Sequence, residues 1–168
     1  MDTRGVSGHP GGTLAGPTPV EKNLGRHTVG FEPPALLRFV ARGEILPEEI
    51  EEFAAFAKEQ TRGQPFVLTL TDLTELGAVS AATRKAAMRT AANIPYRGMA
   101  YFGGSFQARL LAKLALRAMQ LVLHGTDSPM RFFDTEDDAR VWLAERARTL
   151  SSRPSGPSGP NGPSGHAR

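Results

Sequence analysis

Short apolar runs and stretches of helical period take turns along the middle of the chain, while both ends carry neither. Thr28 to Phe31 reads as a short extended piece. After the Pro33-Pro34 break, Leu36-Leu37-Arg38-Phe39-Val40 predicts a strand, and the two pieces suit an edge hairpin. Phe66-Val67-Leu68-Thr69-Leu70 is nearly unbroken in its hydrophobicity, as a strand covered on both faces should be. Met99-Ala100-Tyr101-Phe102 and Met130-Arg131-Phe132-Phe133 have the same character.

Between these runs the period changes to that of a helix. Pro47 suits a first helical turn, and Glu48, Glu49, Glu51 and Glu52 complement the positive end of the helix dipole. Ile50, Phe53, Phe56 and Ala57 form its apolar stripe, and Arg62-Gly63 end it. Ser80 is an N-cap for a helix from Ala81 to about Ala92, stopped by Asn93 and Pro95. Ser105, after Gly103-Gly104, caps a long helix to His124, closed by Gly125. The last helix starts at Asp134 or Thr135, with Glu136, Asp137 and Asp138 at its positive end and Arg146 and Arg148 at the other. Ala139, Trp142, Leu143, Ala147 and Leu150 share one face of it, so Trp142 reads as a core anchor.

Strands separated by helices imply right-handed crossovers. The pattern therefore predicts an α/β domain over residues 28–150: a small mixed, mostly parallel sheet of four to five strands with about four helices. Residues 1–27 hold Gly, Pro and Thr with almost no large apolar side chains, too little to offset the entropy of ordering them. Residues 151–168 repeat Gly at every third position from Gly156 to Gly165. Four triplets are too few for a collagen helix, so both ends are expected to be disordered tails.

The charge narrows the range of partners. The net charge is +3, yet residues 28–150 contain fifteen Lys/Arg and fifteen Asp/Glu and are neutral. The excess lies in the tails, which argues against a nucleic-acid-binding domain. The chain has no cysteine, excluding thiolate chemistry, a Cys-held zinc and a disulfide framework. No apolar run reaches the ~20 residues that span a bilayer. A cytoplasmic protein fits these facts.

Four stretches in order carry a family resemblance. They are Leu37 to Ile45, Leu68-Thr69-Leu70-Thr71-Asp72-Leu73, Gly98 to Gly103, and Phe132-Phe133-Asp134 running through Ala139 to Trp142-Leu143. Together they resemble the SpoIIAA-like branch of the STAS family, also grouped under STAS/SEC14 headings. The resemblance implies a bacterial, cytoplasmic, non-enzymatic regulator without a cofactor that works by protein–protein contact. Its partner in such relatives is an anti-sigma factor or a stressosome protein, and a kinase switches it. The kinase target there is a Ser or Thr directly after an Asp, at the start of the helix that follows the "Asp-Leu" strand. Here the corresponding positions are Ser80 and Ala81, so the phosphorylatable hydroxyl is replaced.

Two strand-to-helix turns are the candidate sites. Asp72 to Arg84 is read as a loop leaving a central strand at its carboxyl end, the usual functional edge of an open α/β sheet. Asp72, Ser80, Thr83, Arg84 and Lys85 are the candidate partner-binding residues. A phosphate on Ser80 or Thr83 would face a helix N-terminus with Arg84 and Lys85 nearby, although a plain N-cap explains Ser80 more simply. Gly103, Gly104 and Ser105 form the second turn, where backbone N–H groups suit an anion. Their spacing fits neither the dinucleotide nor the P-loop pattern, which favours a simple turn with a cap. A small-ligand domain for a lipid or nucleotide, using the crevice near Asp72 and these glycines, is the alternative function.

A third feature is the run Arg84, Lys85, Arg89, Arg97, Arg109, Lys113 and Arg117, with no acidic residue between Glu75 and Asp127. It admits RNA, anionic lipid or an acidic protein, and a solvated helix face explains most of it. Catalysis has little to work with. His9, His27 and His166 fall in the expected tails, His124 ends a helix, and no His pair has metal-ligand spacing. A lone Asp72 without a base, nucleophile or metal does not make an active site.

Overall fold

The computed structural model describes residues 18–105, 109–110 and 127–152. In chain order these form β1 (Val20–Leu24), β2 (His27–Glu32), β3 (Leu36–Ile45), α1 (Pro47–Gln60), β4 (Val67–Val79), α2 (Ala81–Ala91), β5 (Tyr96–Phe102), β6 (Met130–Phe133) and α3 (Glu136–Ser151). All strands lie in one six-stranded sheet whose spatial order repeats the order in the chain. The pairs β1–β2 and β2–β3 are antiparallel; β3, β4, β5 and β6 are parallel.

The sheet separates two apolar layers. On one face Leu37, Phe39, Ala41, Val67 and Met99 pack with Phe56 and Ala57 of α1 and Ala91 of α2. On the other, Leu68, Leu70, Ala100 and Phe102 pack with Ala139 and Leu143 of α3. Val67 and Leu70 have no exposed surface although they belong to opposite layers, which accounts for the unbroken apolar run they sit in. Burying each such side chain is worth roughly 1.5–3 kcal/mol. Trp142 is half-buried at the edge of the second layer, against Phe133 and under the Arg131 guanidinium at 5.5 Å.

Three features differ from the sequence reading. The sheet has six strands rather than four or five, because the chain is already paired at Val20, within the stretch read as tail. Leu24 and His27 are both about 1% exposed, and the Gly25 turn at φ +55° lets so short a hairpin close over them. Next, β4 runs on to Val79, so the expected loop from Asp72 is a strand for most of its length. It stays paired because β3 continues beside it, Ile45 lying opposite Val79. Finally, three helices rather than about four fall within the described residues. Of the helix expected from Ser105 to His124, Arg109 and Leu110 are helical and the Arg109 N–H donates to the Ser105 carbonyl. The remainder, with the residues beyond Ser152 and before Thr18, lies outside the described residues.

Candidate functional site

The extension of β4 decides where the candidate residues go. β5 ends opposite Asp72 while β3 and β4 continue together to Val79, forming a two-stranded ribbon that overhangs the sheet. Along the ribbon β4 twice supplies four residues where β3 supplies three: Asp72 to Glu75 against Val40 to Arg42, and Leu76 to Val79 against Gly43 to Ile45. Such bulges sharpen the local twist and turn an extended pair away from its sheet. The backbones also come close there, since a Cβ on Gly77 would lie 2.7 Å from the Gly43 carbonyl carbon. Asp72 and Val79 lie opposite Val40 and Ile45, so at about 3.3 Å per residue along β3 Asp72 and Ser80 stand up to about 20 Å apart. One predicted site is thus two places.

The far end of the ribbon holds Ser80, Thr83, Arg84 and Lys85. Ser80 caps α2, its hydroxyl accepting the Thr83 N–H at 3.0 Å. Thr83 is only 1% exposed, with its hydroxyl 2.8 Å from the Ile45 carbonyl and 2.9 Å from Ser80 Oγ. It is a bolt between α2 and β3, and a kinase would have to unfold this corner to reach it. Arg84 donates to the Val79 carbonyl at 2.7 Å. Lys85 is exposed and forms no ion pair among the described residues. Ala81 is exposed beside the cap.

An apolar tip missed in the sequence lies among these groups. Leu46 is 41% exposed, and Ala78, Ala81 and Ala82 are exposed nearby in the chain's path around Val79 and Ile45. Leu46 precedes α1 but has no capping oxygen; Glu49 instead reaches back to accept the Leu46 N–H at 2.8 Å. A lone leucine between a strand and a Pro-initiated helix is the only sequence sign of this tip.

The near end brings Asp72 and the glycine turn together. Asp72 Oδ1 accepts the Thr74 N–H at 2.8 Å. Gly103 and Gly104, at φ +71° and +79°, lie against Thr74 and Leu73 so closely that a Cβ on Gly103 would collide with Thr74 Oγ1. Arg109 Nε donates to the Gly103 carbonyl at 3.0 Å and the Gly104 carbonyl at 3.3 Å, and its Nη1 reaches Asp134 at 2.7 Å. These polar groups engage one another, and Ser105 has interactions of its own.

The basic run is also largely committed inside the fold. Arg89 pairs with Glu51 of α1, Arg97 donates to its neighbour's carbonyl at Tyr96, and Arg109 clamps the glycine turn. Lys113 and Arg117 lie outside the described residues. Among the described residues no three His, Asp or Glu side chains stand close enough to hold a metal ion, and no helix is long and apolar enough to cross a membrane. Burial pushes the Tyr96 and Tyr101 phenols well above their usual range, so both act as apolar rings with a neutral hydroxyl.

A single sheet with a parallel centre, helices on both faces and a helix start held out on an overlong strand pair is the architecture of a STAS-type domain. The chain belongs to the SpoIIAA-like family, whose model matches residues 36–144. The fold also matches the crystal structure of an uncharacterised protein of the DUF3478 family with a SpoIIAA-like fold, from Shewanella loihica PV-4. That match has a TM-score of 0.55 at 22% identity and covers 74% of this chain and 98% of the other. No curated protein matches the chain.

Proposed function

We propose that this protein is a non-enzymatic regulatory module, and that it docks another protein on the tip of the β3–β4 ribbon and the start of α2. The observation that carries this reading is the tip itself. It presents exposed Leu46, Ala78, Ala81 and Ala82 next to the exposed Lys85, on a support fixed by Thr83 and the β3–β4 ladder. An apolar centre with a charged rim on a rigid element is what a docking patch requires. Family membership supports the same reading, because the best-known relatives resembled here bind anti-sigma factors or their kinases. With Ala81 in place of the hydroxyl, the contact is regulated without phosphorylation at that position.

The test is affinity capture from the source cell with tagged wild-type protein, Leu46→Asp and Lys85→Glu, each checked for folding by circular dichroism. A stoichiometric partner lost from both variants is expected; a partner held equally by all three would refute docking at the tip. A small molecule found bound in native mass spectrometry would favour the alternative of a lipid or nucleotide ligand near Asp72 and Gly103.

A further inference from the structure

The α1–α2 layer has a charge pattern of which docking at the ribbon tip uses only Lys85. α1 carries Glu48, Glu49, Glu51, Glu52 and Glu59 against Lys58 alone, whereas α2 carries Arg84, Lys85 and Arg89 and no acidic residue. Glu49 is occupied with His27 and Leu46, and Glu51 with Arg89. Glu48, Glu52 and Glu59 are exposed like Lys85, and none of them forms an ion pair among the described residues. A shallow groove of about 150 Å³ separates the helices, with Ala54, Ala55 and Lys58 on one wall and Thr90, Asn93 and Ile94 on the other. Both helices follow parallel strands, and Thr83 is bonded to Ile45, so they run in the same direction with their N-terminal ends level.

We propose that a second copy of this chain covers this layer, related by a two-fold axis that runs along the groove parallel to both helices. That rotation lays α1 of one copy on α2 of the other, pointing the same way at the same height. The acidic first half of α1 then meets the basic first half of α2, and symmetry makes the contact twice. A two-fold axis lying across the helices would instead lay α1 antiparallel on α1 of the other copy, where Lys58 alone could meet its glutamates. A partner of one sign would be attracted by one helix and repelled by the other. The occupant needs neighbouring ridges of both signs at the same spacing, and this chain carries them. The small side chains of Ala54 and Ala55 leave room for an opposing ridge. The contact goes beyond docking at the ribbon tip and does not depend on it.

The full chain should show a concentration-dependent mass in sedimentation equilibrium, and the association should weaken from low to high salt because the pairs are exposed. Glu52→Lys and Lys85→Glu each set like charges together twice, which should weaken self-association about tenfold. An equimolar mixture of the two should recover it, since one copy's lysine then faces the other copy's glutamate. Leu46→Asp, at the ribbon tip, should leave the dimer unchanged. A wild-type chain that stays monomeric at low salt and high concentration would overturn the proposal. So would a dimer indifferent to both charge reversals, or a mixture in which the folded variants fail to associate.

Discussion

His27 Nε2 lies 3.0 Å from Glu49 Oε2 in the interior, where the histidine side chain has no exposed surface. The other ring nitrogen, Nδ1, accepts the Arg42 N–H at 3.0 Å, so the Nε2 proton is the one given to Glu49. One imidazole thereby ties β2 to β3 and to the first turn of α1, and Glu49 extends the tie to the Leu46 N–H. His27→Ala would leave the Arg42 N–H without its partner and a hole beside Phe39, whose ring centroid is 5.5 Å away. The expected loss is roughly 2–4 kcal/mol. Urea unfolding followed by circular dichroism would measure it, and a midpoint equal to wild type would show that the tie carries no stability.

At the start of α2, Ser80 and Thr83 should differ in a graded way. Ser80→Ala loses an exposed cap and about 1 kcal/mol. Thr83→Val keeps the shape but strands the Ile45 carbonyl in a buried place, an expected cost of about 1–3 kcal/mol. Thermal melts of the two variants should rank them in that order.

Glu32 of β2 takes two hydrogen bonds from Arg140 of α3, both at 2.9 Å. These bonds hold its carboxyl below the ordinary glutamate range, against a smaller opposing effect of burial. A lowered folded-state value means the pair stabilises the fold above the unfolded-state pKa and ceases to do so as pH falls through the folded one. Wild type should therefore exceed Glu32→Gln by up to about 1 kcal/mol at neutral pH, a small amount because the pair is about a third exposed. The two unfolding curves should converge below about pH 4. A constant gap from pH 7 to pH 3 would contradict the assignment.

Two glycines of similar backbone angle make a matched pair. Gly63, at φ +78°, has nothing within 4 Å of where a Cβ would sit, whereas Gly103, at φ +71°, has Thr74 and Asp72 there. Gly63→Ala should cost about 1 kcal/mol, the penalty of the left-handed conformation alone. Gly103→Ala should cost at least twice that and perturb the amide signals of Asp72 to Thr74 in NMR spectra. Equal costs would mean that the turn yields.

How far the sequence could be read depended on how each segment is covered. β5 was legible because Gly98, Met99, Ala100 and Phe102 are buried, leaving a run with no other reading. β1 was not, because at the rim of the sheet only Leu24 of its five residues is buried. The ribbon escaped notice for a different reason. Its two bulges put Leu73, Leu76 and Val79 three apart, which destroys the two-residue alternation by which strands are recognised. Asp72 and Lys85 therefore looked like the ends of one loop. His27 was placed in a tail because nothing in a single chain marks a histidine whose partners lie fifteen and twenty-two residues further on.

The sheet, finally, is stacked in the order in which it is synthesised. Each strand emerging from the ribosome finds its pairing edge already laid down by the strand before it, and none has to be threaded between two others. Assembly can advance like a zip, each new ladder requiring only the connection between two consecutive strands to close. A chain truncated after α2 would already contain β1 to β4 in their final arrangement, so ordered structure should begin to form before the last two strands exist.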